Sequence, residues 1–223
     1  MVVAILGSLL TQPNWLPTLL AWAYPDILWR VDTATPVVAL TFDDGPAPDH
    51  TPAVLTILAH HGARATFFMI GDRASRSPDL IRAIRESGHE VANHYYGIRS
   101  NLRVTDAAFE ADLLRTESIL GIAGPTKLYR PPGGFVRTSQ LLLLKKHGYR
   151  CVLGSAYPFD GNRTPSWYIQ WLVTKNLAPG AIVILHDGIA DPSRTLLALD
   201  NILSAGKRKG LRFVPVGELL NAS

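Results

Sequence analysis

Two aspartates stand side by side at Asp43-Asp44, directly after the apolar run Val37–Phe42 and directly before Gly45-Pro46. A carboxylate pair at the end of a buried strand is costly unless something uses it. Other polar residues close later apolar runs: Asn93-His94, then Arg130 before Pro131-Pro132-Gly133-Gly134, Asp160 in Tyr157-Pro158-Phe159-Asp160-Gly161, and His186-Asp187-Gly188 after Ile184-Leu185. Carboxylates, imidazoles and a guanidinium are the side chains of acid–base and metal chemistry. Each segment alone also has a structural reading. One aspartate caps a helix while the other is solvated, a strand-end histidine makes a hydrogen bond, and the glycine-rich segments are turns.

The elements that must position these residues alternate strand and helix. Val37–Phe42 reads as a buried strand, and Thr51-Pro52 as an N-cap followed by proline at the first helical position. Val54, Leu55 and Leu58 form that helix's apolar stripe, and Gly62 stops it. Further strands are expected at Ala65–Ile70, Glu90–Asn93, Leu128–Arg130, Tyr149–Ser155, Ala181–Leu185 and Arg212–Val216. Helices are expected from Ser77-Pro78 to Gly88, from Thr105 onward, and over Thr138–His147, Ser166–Asn176 and Ser193–Ala205. This alternation implies right-handed βαβ crossovers and a parallel sheet of about seven strands. A closed barrel and an open doubly wound sheet both satisfy it, and both put active sites at the C-terminal ends of strands.

The chain has 223 residues, 47% hydrophobic and 18% charged, which excludes a disordered polymer. The net charge of +4 comes with late clusters (Lys145, Lys146, Arg150; Lys207, Arg208, Lys209, Arg212) beside glycines and helix ends. They read as helix C-terminal charge and a solvated face, not a nucleic-acid site. Cys151, the only cysteine, sits in an apolar run and reads as core, so no internal disulfide exists. Residues 1–23 carry no charge and end in Ala21-Trp22-Ala23, loosely like a signal-peptidase site, but lack a basic start and are broken by Pro13 and Pro17. Residues 1–35 are therefore taken as an N-terminal apolar segment, either an export or anchor element or one packed on the domain, and 36–223 as the single main domain. As an export or anchor element it would bring membrane association, and it favours a secreted or membrane-associated location.

The five strand-end segments, in this order, resemble the polysaccharide deacetylases, the carbohydrate esterase family 4 group with the nodulation-type chitooligosaccharide deacetylase domain. Thr41-Phe42-Asp43-Asp44-Gly45-Pro46 is the most specific match, joined by Arg130-Pro131-Pro132-Gly133 and Leu185-His186-Asp187-Gly188. Ala65-Thr66-Phe67-Phe68 and Gly88-His89-Glu90-Val91-Ala92-Asn93-His94 support it. The likeness runs from about Val37 to Leu220. It implies a distorted (β/α) barrel and a hydrolase that removes acetyl groups from an N-acetylated glycan. By the same resemblance Asp43 would be the general base, and Asp44 and His94 ligands of a divalent zinc, nickel or cobalt ion. Arg130 would hold Asp43 ionised, Gly133 would offer an N–H to the oxyanion, and His186 would be the general acid oriented by Asp160. Ile184 would line the acyl pocket and Arg64 would tether Asp160.

The sequence departs from that family at two points. A second histidine is expected four residues after His94, and Ile98 stands there. Two ligands are fewer than a protein zinc site usually has, so metal affinity should be low unless Asn93, Tyr95, Tyr96 or His50 contributes. Gly161 occupies a place where the family usually has tryptophan, which should widen the acyl pocket. His50, His60, His61, His89 and His147 otherwise read as structural or solvated. Three readings remain: a sugar N-deacetylase with an atypical metal site, a metal-independent amidohydrolase on the same barrel, and a non-catalytic glycan-binding descendant.

Overall fold

The computed structural model describes residues 10–13, 15–97 and 103–222. An eight-stranded, all-parallel sheet runs β1 (Ile27–Leu28), β6 (Tyr149–Val152), β5 (Lys127–Tyr129), β4 (Glu90–Asn93), β3 (Thr66–Met69), β2 (Val37–Gly45), β7 (Ile182–His186), with β8 (Arg212–Val214) also paired to β2. The chain beyond β6 returns to β7 through an isolated parallel bridge, Ala156 to Val183, and the Ser155 N–H donates to the Ile182 carbonyl at 2.9 Å. The ring from β2 to β7 therefore comes round on itself as a distorted barrel.

Strand alternation sorts the side chains of β2 onto two faces. Val37 and Ala39 join an inner cluster with Phe68, Ala92, Leu128, Val152 and Ile182, which Val216 and Leu219 of α9 (Val216–Leu220) cover at one end. Val38, Leu40 and Phe42 face the opposite way, into a core shared with α2 (Thr51–His61), α7 (Ser166–Asn176) and α8 (Ser193–Arg208). The remaining helices are α1 (Trp15–Ala23), α3 (Gly71–Arg76), α4 (Pro78–Glu86), α5 (Asp106–Leu120) and α6 (Thr138–Lys146). Cys151 is buried in a third apolar cluster, where desolvation pushes its thiol up to about 12.

Several local expectations change. The strand beyond the expected seven is β1, whose Ile27 and Leu28 pair with Cys151 and Val152 of β6. Thr51 is the first helical residue rather than the cap; its hydroxyl accepts from the Ala47 N–H at 2.9 Å and donates to Asp187 Oδ2 at 2.5 Å. Thr105 does cap α5, accepting from the Ala108 N–H at 3.2 Å, whereas Ser77 precedes α4 without a side-chain cap bond. Among the described residues no helix is long and apolar enough to cross a membrane. Helix α1 nevertheless exposes Trp15, Leu19 and Trp22, spaced to share one helical face.

Candidate active site

In a regular strand Asp43 and Asp44 would point to opposite faces of the sheet. They do not, because β2 bulges: Asp43 pairs with Phe68 and Gly45 with Met69, leaving Asp44 as the extra residue. Asp44 takes φ +69, a left-handed conformation that aspartate tolerates better than most residues. Both carboxylates consequently line one cavity of about 310 Å³ at the C-terminal rim of the barrel. The Arg73 guanidinium holds the loop behind them, donating to the Asp44 and Gly188 carbonyls at 2.6 Å each.

Arg130, 2% exposed, reaches inward from the end of β5. Its guanidinium donates to Asp43 Oδ1 at 2.6 Å and Thr41 Oγ1 at 2.7 Å, and to the Val152 and Leu153 carbonyls at 3.2 and 3.1 Å. It also lies over the Phe68 ring, 4.1 Å from the centroid. A buried ion pair is tolerable when its hydrogen-bonding capacity is this fully met. The arrangement orients the Asp43 carboxylate and supplies its counter-charge.

His94 follows β4, and its Nδ1 lies 2.8 Å from the Arg130 carbonyl. A carbonyl only accepts, so Nδ1 carries a proton, and Nε2 is the nitrogen turned to Asp44, 3.4 Å from its Oδ1. Burial alone would raise the Asp44 carboxyl, but His94, followed by His186 and Arg73, holds it below its ordinary value. One carboxylate oxygen and one imidazole fixed by an outer carbonyl suit a divalent first-row metal. Among the described residues no further His, Cys, Asp or Glu completes a set of three with them. The other candidate ligands turn away. Asn93 donates to the Leu113 carbonyl and the Tyr149 hydroxyl, Tyr95 stacks on Phe109, Tyr96 lies under the Arg115 guanidinium, and His50 lines a separate groove. Ile98 lies outside the described residues.

His186 ends β7 and stands in register with Asp43 on the adjacent strand. Asp160 accepts from its Nδ1–H at 2.8 Å and from its backbone N–H at 2.9 Å, while Thr195 donates to the same carboxylate at 3.0 Å. Nε2 is thereby the ring nitrogen left for the cavity. Burial alone would lower the His186 imidazole, but the Asp160 carboxylate, with Asp43 and Asp44 beyond it, pushes it up to about 9. The neighbouring Asp187 is fully buried, and desolvation outweighs the Thr51 hydrogen bond to push its carboxyl up to about 7.

Gly133, in a left-handed turn with φ +72, and Ile184 also line the cavity. Arg64 does not approach Asp160; it pairs at the surface with Glu218, because β3 begins at the opposite end of the barrel from the rim. Gly161 stays outside the cavity wall, and the indole present there is Trp29, immediately after β1. Tyr157 and Leu153 complete that side. The Gln12 amide clamps Tyr157, accepting from its N–H at 2.8 Å and donating to its carbonyl at 2.5 Å. The short apolar run Ile27-Leu28-Trp29 was the one trace in the sequence of this contribution.

Comparison with known proteins agrees with the geometry. Residues 30–152 match the family model described as polysaccharide deacetylase. A peptidoglycan-N-acetylglucosamine deacetylase of Bacillus cereus is 39% identical over 198 residues, covering 87% of this chain and 92% of that protein. A chitooligosaccharide deacetylase of Bradyrhizobium is 34% identical over 201 residues, covering 84% of this chain and 92% of that protein. The crystal structure of the Bc1960 peptidoglycan N-acetylglucosamine deacetylase superposes with a TM-score of 0.84 at 29% identity, covering 91% of this chain and 97% of that one.

Proposed function

The chain belongs to the polysaccharide deacetylase family, and from that premise we propose that it hydrolyses N-linked acetyl groups on an amino-sugar polymer or oligomer of the chitin or peptidoglycan kind. The observation that carries this reading is the facing of two prepared pairs, Asp43–Arg130 and His186–Asp160, across adjacent strands at one cavity. Amide hydrolysis needs a base for the attacking water and an acid for the departing amine, and these pairs are suited to those tasks.

Asp44 and His94 would hold a divalent metal such as zinc, nickel or cobalt. When bound, it would supply Lewis acidity that lowers the pKa of water toward neutrality. Asp43, oriented by Arg130, takes the proton of the attacking water. The Gly133 N–H is assigned to the oxyanion that develops on the acetyl carbonyl. His186 gives its proton to the sugar nitrogen as the C–N bond breaks, leaving acetate and a free amine. Ile184 offers apolar surface to the acetyl methyl.

The test is acetate release from chitin oligomers and from peptidoglycan, with and without added zinc, nickel or cobalt. Release that rises with added metal is expected, because Ile98 supplies no ligand. Silence on every N-acetylated glycan, with metal present, would overturn the reading in favour of a glycan-binding descendant. Metal-indifferent release would favour the metal-independent amidohydrolase. Association with a bilayer through the N-terminal segment belongs to the same proposal, supported by the uncharged, exposed stripe of α1. Sedimentation with lipid vesicles should fall in a Trp15→Ser, Trp22→Ser variant, and unchanged sedimentation would remove that part.

A further inference from the structure

Away from the cavity, α2 ends in a pair of histidines. Gly62, at φ +62, turns the chain out of the helix, and its N–H and the cap around it leave His60 and His61 as the last helical residues. That position favours cations, since the helix dipole is negative at its C-terminus. On α8, Asp200 points to the same spot: its Oδ1 lies 2.8 Å from His61 Nε2. The His60 ring stands edge-on to that of His61, with centroids 5.1 Å apart.

We propose that His60, His61 and Asp200 form a second divalent-metal site, which ties α2 to α8 on the outer wall of the barrel. One nitrogen from each imidazole and one Asp200 oxygen already lie within 4.8 Å of one another. Ligand atoms around a tetrahedral zinc stand about 3.3 Å apart, given metal–ligand distances of about 2.0–2.1 Å. Rotation of the exposed His60 and Asp200 side chains toward the half-buried His61 is the movement that would close that difference. The backbone beneath them is held in place: Val54 and Leu58 of α2 share one core with Ala198, Leu199 and Ile202 of α8. Two imidazoles and a carboxylate are a donor set for zinc, nickel or copper rather than calcium or magnesium. Exposure of His60 and Asp200 leaves the remaining coordination positions to water. None of the three residues lines the cavity that contains Asp44 and His94.

The site changes how metal content is to be read. Metal found in purified protein would report the sum of two sites, and the fuller donor set is the one on the outer wall. Total metal therefore does not measure loading at Asp44 and His94.

Calorimetric zinc titration of chelator-stripped protein separates the two. Wild-type protein should bind zinc with a component that His60→Ala, His61→Ala abolishes, while Asp44→Asn, His94→Ala leaves that component intact. Zinc should also raise Tm in wild type and not in the double histidine variant, because a ligand that bridges two helices stabilises the folded state. Asp200→Asn, a milder change, should weaken the same component by at least about 10-fold, the lower end of what losing even an outer-shell partner costs. Acetate release in zinc-saturated buffer should not change in these outer-wall variants, which keeps the test separate from that of the catalytic reading. Zinc binding and Tm shifts identical in wild type and the double histidine variant would overturn the proposal, as would a wild-type protein that binds no zinc outside the Asp44–His94 pair.

Discussion

His186 can act as an acid at neutral pH only if its imidazole keeps a proton there, and Asp160 is what keeps it. An acid is active below its pKa, so the rate should fall as pH rises through about 9, with metal and substrate shifting that limb. Asp160→Asn removes the supporting charge, and the limb should move down toward the ordinary histidine value of 6.5; a pH–kcat profile reads this directly. His186→Ala should lower kcat by about 10²–10⁴-fold, and Asp43→Asn by at least as much. Activity that survives both would sink the mechanism. Arg130→Met poses a different question, since it strands the Asp43 charge in the barrel. Loss of one partner of a buried pair costs about 3–5 kcal/mol, and urea unfolding should show a loss of that order. At this scale much was legible: Asp43, Asp44, His94, Arg130, Asp160 and His186 announce themselves as polar residues closing apolar runs. Thr41 and Thr195 do not, because a threonine in a strand or helix start looks ordinary until its partner across the barrel is known.

The elements add what residue types cannot. Adjacent aspartates share the cavity only because β2 carries an extra residue, and a bulge depends on registers with β3 that periodicity within β2 does not encode. The family resemblance likewise set Arg64 beside Asp160, whereas which end of a strand meets which partner is a property of the closed ring. Gly188 tests how tightly the bulge is held. A methyl there would fall into the Asp44 carbonyl and crowd the Arg73 guanidinium. Gly188→Ala should therefore destabilise the protein by roughly 1–3 kcal/mol, as overpacking usually does. It should also cost activity beyond what the lost stability explains, because Asp44 moves with its carbonyl. An unchanged Tm and unchanged acetate release would mean that the loop yields without disturbing the carboxylates.

For the whole molecule, strand–helix alternation left barrel and open sheet undecided, and the single bridge from Ala156 to Val183 makes the difference. No periodicity reveals one bridge. Nor does composition reveal that a segment shaped like a leader braces a wall of the cavity from outside: Gln12 grips the Tyr157 backbone, Leu10 accepts from the Tyr168 hydroxyl, and the Thr11 carbonyl accepts from Lys175. Removal of residues 1–23 would then take away a brace of one cavity wall. A chain that begins at Tyr24 keeps Asp43, His94, Arg130 and His186 but frees the Tyr157 side of the cavity to drift. Substrate grip should suffer more than chemistry, so KM should rise several-fold, about 1 kcal/mol for lost hydrogen bonds, with kcat little altered. Equal KM for the trimmed and full-length chains would show that the wall stands without its clamp. If the rise is observed, the glycan concentration at which the enzyme works depends on a contact more than a hundred residues away in sequence from the wall it steadies.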